Sequence, residues 1–197
     1  MYAWFLYGHM TVTWTIDKDF KQLFRYHKDG IALSQKNSLG FLLTELIVSK
    51  IIYYMYILVI PILFLPVPWW MILFFYFSMH FVSGFSLGII FQTAHVMPAS
   101  EYPMPDEKGN VENNWAIHQL MTTSNYSPKN RWFSWFIGAL NYQVEHHLFP
   151  NICHVHYKNI SGLVKTVAHK YNLPYHVQPN FLTAIRNHSK MLKILGR

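Results

Sequence analysis

The stretch with the clearest chemical potential is Asn141-Tyr142-Gln143-Val144-Glu145-His146-His147-Leu148-Phe149-Pro150. Two adjacent histidines follow a glutamine by three and four positions. On a helix these spacings share one face, so Gln143, His146 and His147 can converge on one point. Neutral imidazole nitrogen is a common ligand for iron and zinc, which makes a metal the first chemistry to consider. A histidine pair alone does not specify a metal, and its weight comes from its surroundings. Asn114 and His118 form an i, i+4 pair on a further helical segment. His95 stands at the end of a long apolar run, where an ionisable side chain is either a functional donor or a snorkelling cap. His154 and His156 flank Val155 in a loop; such a pair can bind metal, but the preferred reading is a polar loop. His80 lies about four turns from His95, too far to share one mononuclear site, and is expected to be a hydrogen-bonded packing residue.

These side chains need a scaffold, and composition points to a bilayer. The 197 residues are 52% hydrophobic and 13% charged, about half the usual charged share. From Ile51 to Pro98 there is no Asp, Glu, Lys or Arg. Extended back to Phe41, the run has room for two spanning helices of about 20 residues each. Pro66-Val67-Pro68 breaks it and Trp69-Trp70 follows, in the manner of an interfacial aromatic belt. The expectation is a transmembrane hairpin, roughly 43–65 and 69–94, within a domain 41–96. Glu45 and Lys50 are expected in water, on a helix that starts outside the bilayer.

The outer turn carries no basic residue while both flanks do, which places both flanks in the cytoplasm. The net charge of +7 then lies at the membrane face and favours lipid over nucleic acid. Residues 1–40 read as interfacial amphipathic helices: an aromatic-rich piece at 2–16, then a charged segment containing Asp17, Lys18, Asp19, Lys21, Arg25, Lys28, Asp29 and Lys36. Gly30 is expected to end that helix. The opening residues Met1 to Tyr7 have neither the basic start nor the cleavage site of a signal peptide, and read like the interior of a larger protein. The single cysteine, Cys153, allows no disulfide within the chain.

Residues 97–197 read as a cytosolic cap. A loop with Pro98, Pro103, Pro105 and Gly109 leads to a helix over 113–120. A second helix is expected from 131 to 149, closed by Pro150, and an amphipathic basic pair follows from 157 to 197 around Leu173-Pro174-Tyr175. The fold class is thus all-α: an integral membrane hairpin plus a helical cap.

Gln143-x-x-His146-His147, followed by Leu148-Phe149-Pro150, resembles the third histidine box of front-end fatty acid desaturases, which carry glutamine where other desaturases have the first histidine. Trp135-Phe136-Ile137-Gly138 before it and Pro150-Asn151-Ile152-Cys153-His154-Val155-His156-Tyr157 after it look like the same family, as do Phe91 to Val96 and Trp115 to Leu120. The likeness is greatest to the bacterial linoleoyl, delta-6-like type and covers essentially the whole chain. It departs in two places. Neither earlier box, H-x-x-x-H or H-x-x-H-H, occurs before Gln143. The chain therefore looks like the C-terminal half of a four-span di-iron enzyme. Ala139 also stands where the family usually has glycine.

The resemblance implies two iron ions, with His118, His146 and His147 as ligands and His95 as a compensating one. Gln143 would hydrogen-bond rather than ligate, and Asn114 would hold a water. No catalytic residue beyond the metal site is implied. The implied reaction introduces a cis double bond into an acyl-CoA or acyl-lipid chain, using O2 and electrons from ferredoxin or cytochrome b5. With an incomplete ligand set, the isolated chain is expected to be inactive. A hydroxylase or ketolase on the same scaffold is the alternative. A haem-binding membrane anchor ranks low, because the spans offer only His80 and His95, both on one helix.

Overall fold

The structure, a computed structural model, describes residues 2–31 and 38–196. Lys36, grouped above with the charged segment, lies outside them. The chain divides into two compact units, Tyr2–Gly88 and Ile89–Arg197, and the division falls inside a long helix.

The first unit opens with α1 (Ala3–Gly8) and α2 (Met10–Thr13), which runs through a π turn (Trp14–Lys18) into α3 (Asp19–Lys28). Gly30, at φ 72°, follows α3, as its freedom in the left-handed region allows. The next helix begins with α4 (Leu39–Tyr54), capped by Ser38, whose hydroxyl accepts from the Phe41 N–H at 3.3 Å. It continues through a π turn (Met55–Val59) into α5 (Ile60–Phe64). The π turn ends two residues before Pro61, which has no N–H to donate to the helix ladder. Leu65 is extended, as a residue before proline tends to be. After Pro66 and Pro68, α6 (Trp69–His95) begins.

The helices Leu39–Phe64 and Trp69–His95, of 26 and 27 residues, are long and apolar enough to cross a membrane. At 1.5 Å per residue each is roughly 40 Å long, more than the ~30 Å hydrocarbon thickness. Ile51, Ile52, Leu63, Phe64, Phe74 and Phe75 are all exposed, a surface suited to lipid rather than water.

Two interior polar side chains of this unit, His80 and Lys50, find partners on other elements. His80 is buried; its Nε2 lies 2.8 Å from the Tyr53 hydroxyl and its Nδ1 lies 3.1 Å from Thr11 Oγ1, so it is the expected packing histidine. Lys50 departs from expectation. Glu45 is exposed, but the Lys50 side chain is only 16% exposed and its Nζ bonds Asp19 Oδ2 at 2.5 Å. A long lysine on an apolar helix reaches the nearest carboxylate rather than water.

Glycines let α1 and α6 approach closely. A Cβ at Gly84 would sit 2.7 Å from the Tyr7 carbonyl oxygen and 2.9 Å from that of Gly8, and one at Gly88 would sit 2.7 Å from Tyr7 Cβ. Gly84 and Gly88 have the small-xxx-small spacing that brings membrane helices into backbone contact.

The second unit, beyond Ile89, contains α7 (Trp115–Thr122), β1 (Ser124–Tyr126), α8 (Arg131–Phe136), α9 (Gln143–Leu148), a 3₁₀ turn (His154–His156), α10 (Tyr157–Lys170), β2 (His176–Gln178) and α11 (Phe181–Leu195). Asparagine side chains cap three helices: Asn114, Asn130 and Asn180 accept from the N–H groups of Ile117, Phe133 and Thr183 at 3.0, 3.0 and 2.8 Å. The chain is mostly helical, with one short ladder. β1 and β2 pair in parallel, Ser124 opposite His176, Asn125 opposite Val177 and Tyr126 opposite Gln178.

The expected helix from 131 to 149 is broken. Gly138 and Ala139 both have positive φ, 61° and 56°, and α8 ends at Phe136. Buried polar contacts hold the turn: the Asn141 carbonyl accepts from the Tyr126 N–H at 3.0 Å, and the Tyr142 hydroxyl donates to the Pro128 carbonyl at 2.8 Å. Two apolar clusters pack this unit. Ala94, Tyr126, Ile137 and Ala184 form one, and Leu120, Val144 and Ala168 the other.

Candidate metal centre

The candidate ligands sit on three elements of the second unit. His95 ends α6, His118 lies on α7, and Gln143, His146 and His147 lie on α9. Helix α9 starts at Gln143 because the turn before it is not helical, and it ends at Leu148 because Phe149 precedes Pro150. Val144 holds α9 in the second apolar cluster with Leu120 of α7 and Ala168 of α10. Its N–H, orphaned in the first turn, donates to Asn125 Oδ1 at 2.9 Å.

The structure brings some of these groups together. The rings of His95 and His147 lie 4.9 Å apart between centroids, at 72° to one another. Those of His146 and His147 are 5.6 Å apart and perpendicular. The Nδ1 of His146 lies 3.4 Å from the hydroxyl of buried Tyr157, leaving Nε2 as the outward donor. Burial, with the charges of His95 and His146 adding to it, holds the His147 imidazole down at about 4. It is thus neutral near pH 7, the state a metal ligand needs.

Two further observations fit a metal. Gln143 is fully buried, and its amide makes no well-formed hydrogen bond among the described residues, interacting only with the imidazole of His95. The buried Nδ1 of His118 has no hydrogen-bond partner among the described residues. Unsatisfied buried polar atoms are costly and call for an explanation such as an ion. The donor set fits iron in kind. In number it is partial, since no three His, Cys, Asp or Glu side chains among the described residues gather as one ion would require. Asn114 is exposed, and its side-chain oxygen already accepts the Ile117 N–H as the α7 cap.

The chain matches the fatty acid desaturase family model over residues 1–179. The chain belongs to the fatty acid desaturase family. It is 41% identical over 115 residues to the sn-1 linoleoyl-lipid 6-desaturase of Synechocystis sp., covering 58% of this chain and 32% of that protein. It is 32% identical over 196 residues to the acyl-lipid (8-3)-desaturase of Physcomitrium patens, covering 100% of this chain and 40% of that protein. The Delta(5) fatty acid desaturase A of Dictyostelium discoideum is 39% identical over 120 residues, covering 59% and 26%. The chain therefore spans about a quarter to two fifths of the length of these relatives. No solved structure matches it. The desaturase match includes His95, His118, Gln143, His146 and His147, and it ends just beyond β2.

The same region holds residues that sequence reasoning passed over: Glu145, Asn125, Tyr157 and Tyr175. Glu145 was in the opening motif and had a signal of its own, as the sole acidic residue from position 113 to the C-terminus. It is fully buried on α9 and receives hydrogen bonds from Asn125 and Tyr175. Burial pushes its carboxyl up, against the opposing pull of those two donors.

Proposed function

We propose that this chain is part of an oxygen-dependent desaturase that introduces a cis double bond into an acyl chain carried on CoA or a lipid. The observation that carries this reading is the contact of His95, at the end of an apolar helix long enough to span a bilayer, with His147 of the α9 box. In a membrane-spanning reading it would set imidazole donors where an apolar chain leaves the bilayer. His95, His118, His146 and His147 would hold part of a di-iron site, with Gln143 hydrogen-bonding beside it. Iron bound there would supply the oxidising power, drawn from O2, to remove hydrogen from an unactivated methylene.

This chain's own residues do the positioning. Burial keeps His147 uncharged, Tyr157 turns His146, and the α7–α9–α10 cluster fixes the helix that carries both. Residues 1–40 would lie at the interface, 41–96 would form the hairpin, and 97–197 the cap. The charge distribution supports a cap on the cytoplasmic side, where ferredoxin or cytochrome b5 would deliver electrons. The relatives' names support a lipid-linked acyl substrate.

The test is product analysis in yeast fed linoleic acid. The 197-residue chain is expected to yield no new fatty acid. Joined to the remaining part of the Physcomitrium patens relative, which aligns along the full chain, it is expected to yield a more unsaturated acid. A hydroxylated product would move the reading to a hydroxylase, and no product from stably inserted protein would sink it.

A further inference from the structure

The buried group that metal coordination leaves unused is the carboxylate of Glu145. Its side chain is 0% exposed, and it directly precedes His146 on α9. Its Oε2 accepts from Asn125 Nδ2 on β1 at 2.7 Å, and its Oε1 accepts from the Tyr175 hydroxyl, just before β2, at 2.7 Å. The amide of Asn125 has its orientation decided independently. Its Oδ1 accepts the Val144 N–H at 2.9 Å, so its nitrogen must face the carboxylate. The Asn125 nitrogen also lies 2.9 Å from the Tyr175 oxygen, which closes a three-member network.

We propose that Glu145 is a positioning residue: anchored to β1 and to the residue that leads into β2, its carboxylate sets the roll of α9 and so the directions in which His146 and His147 present their nitrogens. The inference rests on reading those two histidines as metal ligands. A carboxylate is costly to bury, and an apolar side chain of its size would fill the space without that cost. What the carboxylate adds is two directional acceptors, met by donors 20 residues before it and 30 after it in the chain. An apolar contact tolerates rotation of a six-residue helix about its axis, whereas two hydrogen bonds from different elements do not. Groups that orient ligands in this way govern metal affinity and geometry.

The test is a cobalt(II) titration of the whole chain in detergent, followed by visible absorption. The H146A/H147A double variant sets the background. E145Q leaves one acceptor oxygen where Asn125 and Tyr175 each had their own, and is expected to weaken cobalt binding about 10- to 100-fold and to change the shape of the cobalt bands. The reciprocal pair N125D/E145Q exchanges donor for acceptor across the same contact, keeps the acceptor for Val144, and is expected to recover binding to within about threefold. A general packing defect would not be repaired by that exchange. E145Q binding cobalt as tightly as the parent, while H146A/H147A loses it, overturns the inference and leaves the ligand reading intact. H146A/H147A binding as the parent does overturns both. Should E145Q not fold, Y175F decides, since it removes one donor and leaves the carboxylate in place: a folded Y175F with unchanged affinity and bands also overturns the proposal.

Discussion

The two units of this chain solve opposite problems. The described part of 2–88 leaves much of its apolar surface exposed and ties interior polar side chains in small separate groups, as with His80 to Tyr53 and Thr11, or Lys50 to Asp19. The segment 89–197 encloses a concentration of polar side chains. Thr93, Thr123, Ser124, Asn125, Asn141, Gln143, Glu145 and His188 are all essentially inaccessible. A lipid-facing unit needs only close backbone approach and satisfied hydrogen bonds. A unit that, on the proposed reading, holds imidazoles in fixed directions accepts buried polar groups because they are directional. Chemistry is therefore to be sought where polarity is buried, and the first unit reads as scaffold.

The contrast can be broken or sharpened by substitution. The largest expected effect is on function alone. In the joined enzyme, H146A is expected to abolish turnover and lower iron content while leaving the protein inserted, as measured by acyl product and metal analysis; normal turnover would remove His146 from the ligand set. Next is G84L, which drives a side chain into the backbone of Tyr7 and Gly8 and is expected to cost about 1–3 kcal/mol in a detergent unfolding titration. The effect should be on stability, with no change in metal affinity per folded molecule. If G84L unfolds no more easily than the parent, the glycine contact is not what holds α1 to α6.

A smaller effect concerns acid. His188 is fully buried, its Nδ1 lies 2.9 Å from the Val96 carbonyl, and burial holds its pKa below the ordinary value. The unfolded chain then binds more protons than the folded one as pH falls, so the stability is present above about pH 6.5 and lost progressively below it. Thermal unfolding of the 89–197 region, followed by near-UV signals between pH 7.5 and 5, is expected to show this slope. H188Q, which cannot titrate, is expected to make it shallower, the remaining slope coming from His147, His95 and His176, whose pKa values burial also lowers, and an equal slope in both would assign the effect elsewhere. The smallest effect is a gain. Ala139 holds φ 56°, where a Cβ is disfavoured by about 1–2 kcal/mol, so A139G is expected to stabilise the chain by about 0.5 kcal/mol after the entropy of glycine is offset. A destabilised A139G would mean that the methyl group packs usefully.

Much of the scaffold was legible because its signals are local. The charge-free run, the proline pair and the tryptophans mark the two long apolar helices, and Gly30 marks a helix end close to where it occurs. The face shared by Gln143, His146 and His147 follows from helical spacing alone. What escaped depends on partners distant in sequence. Three-residue strands have no periodicity to read, and β1 finds β2 across some fifty positions. The break at Gly138 and Ala139 was hidden because alanine is a strong helix former, and a left-handed alanine is imposed by its surroundings. Lys50 was placed in water because its acid lies 31 positions earlier. Glu145 was passed over because its role is carried by Asn125 and Tyr175, neither of which is remarkable on its own.

The parallel ladder has a consequence for the order of synthesis. The box on α9 leaves the ribosome before Tyr175 and β2 do, so until the chain is about thirty residues longer the carboxylate of Glu145 lacks one of its two donors and β1 lacks its neighbour. A nascent protein stopped between Pro150 and Pro174 would carry every histidine of the box on a helix not yet fastened in place.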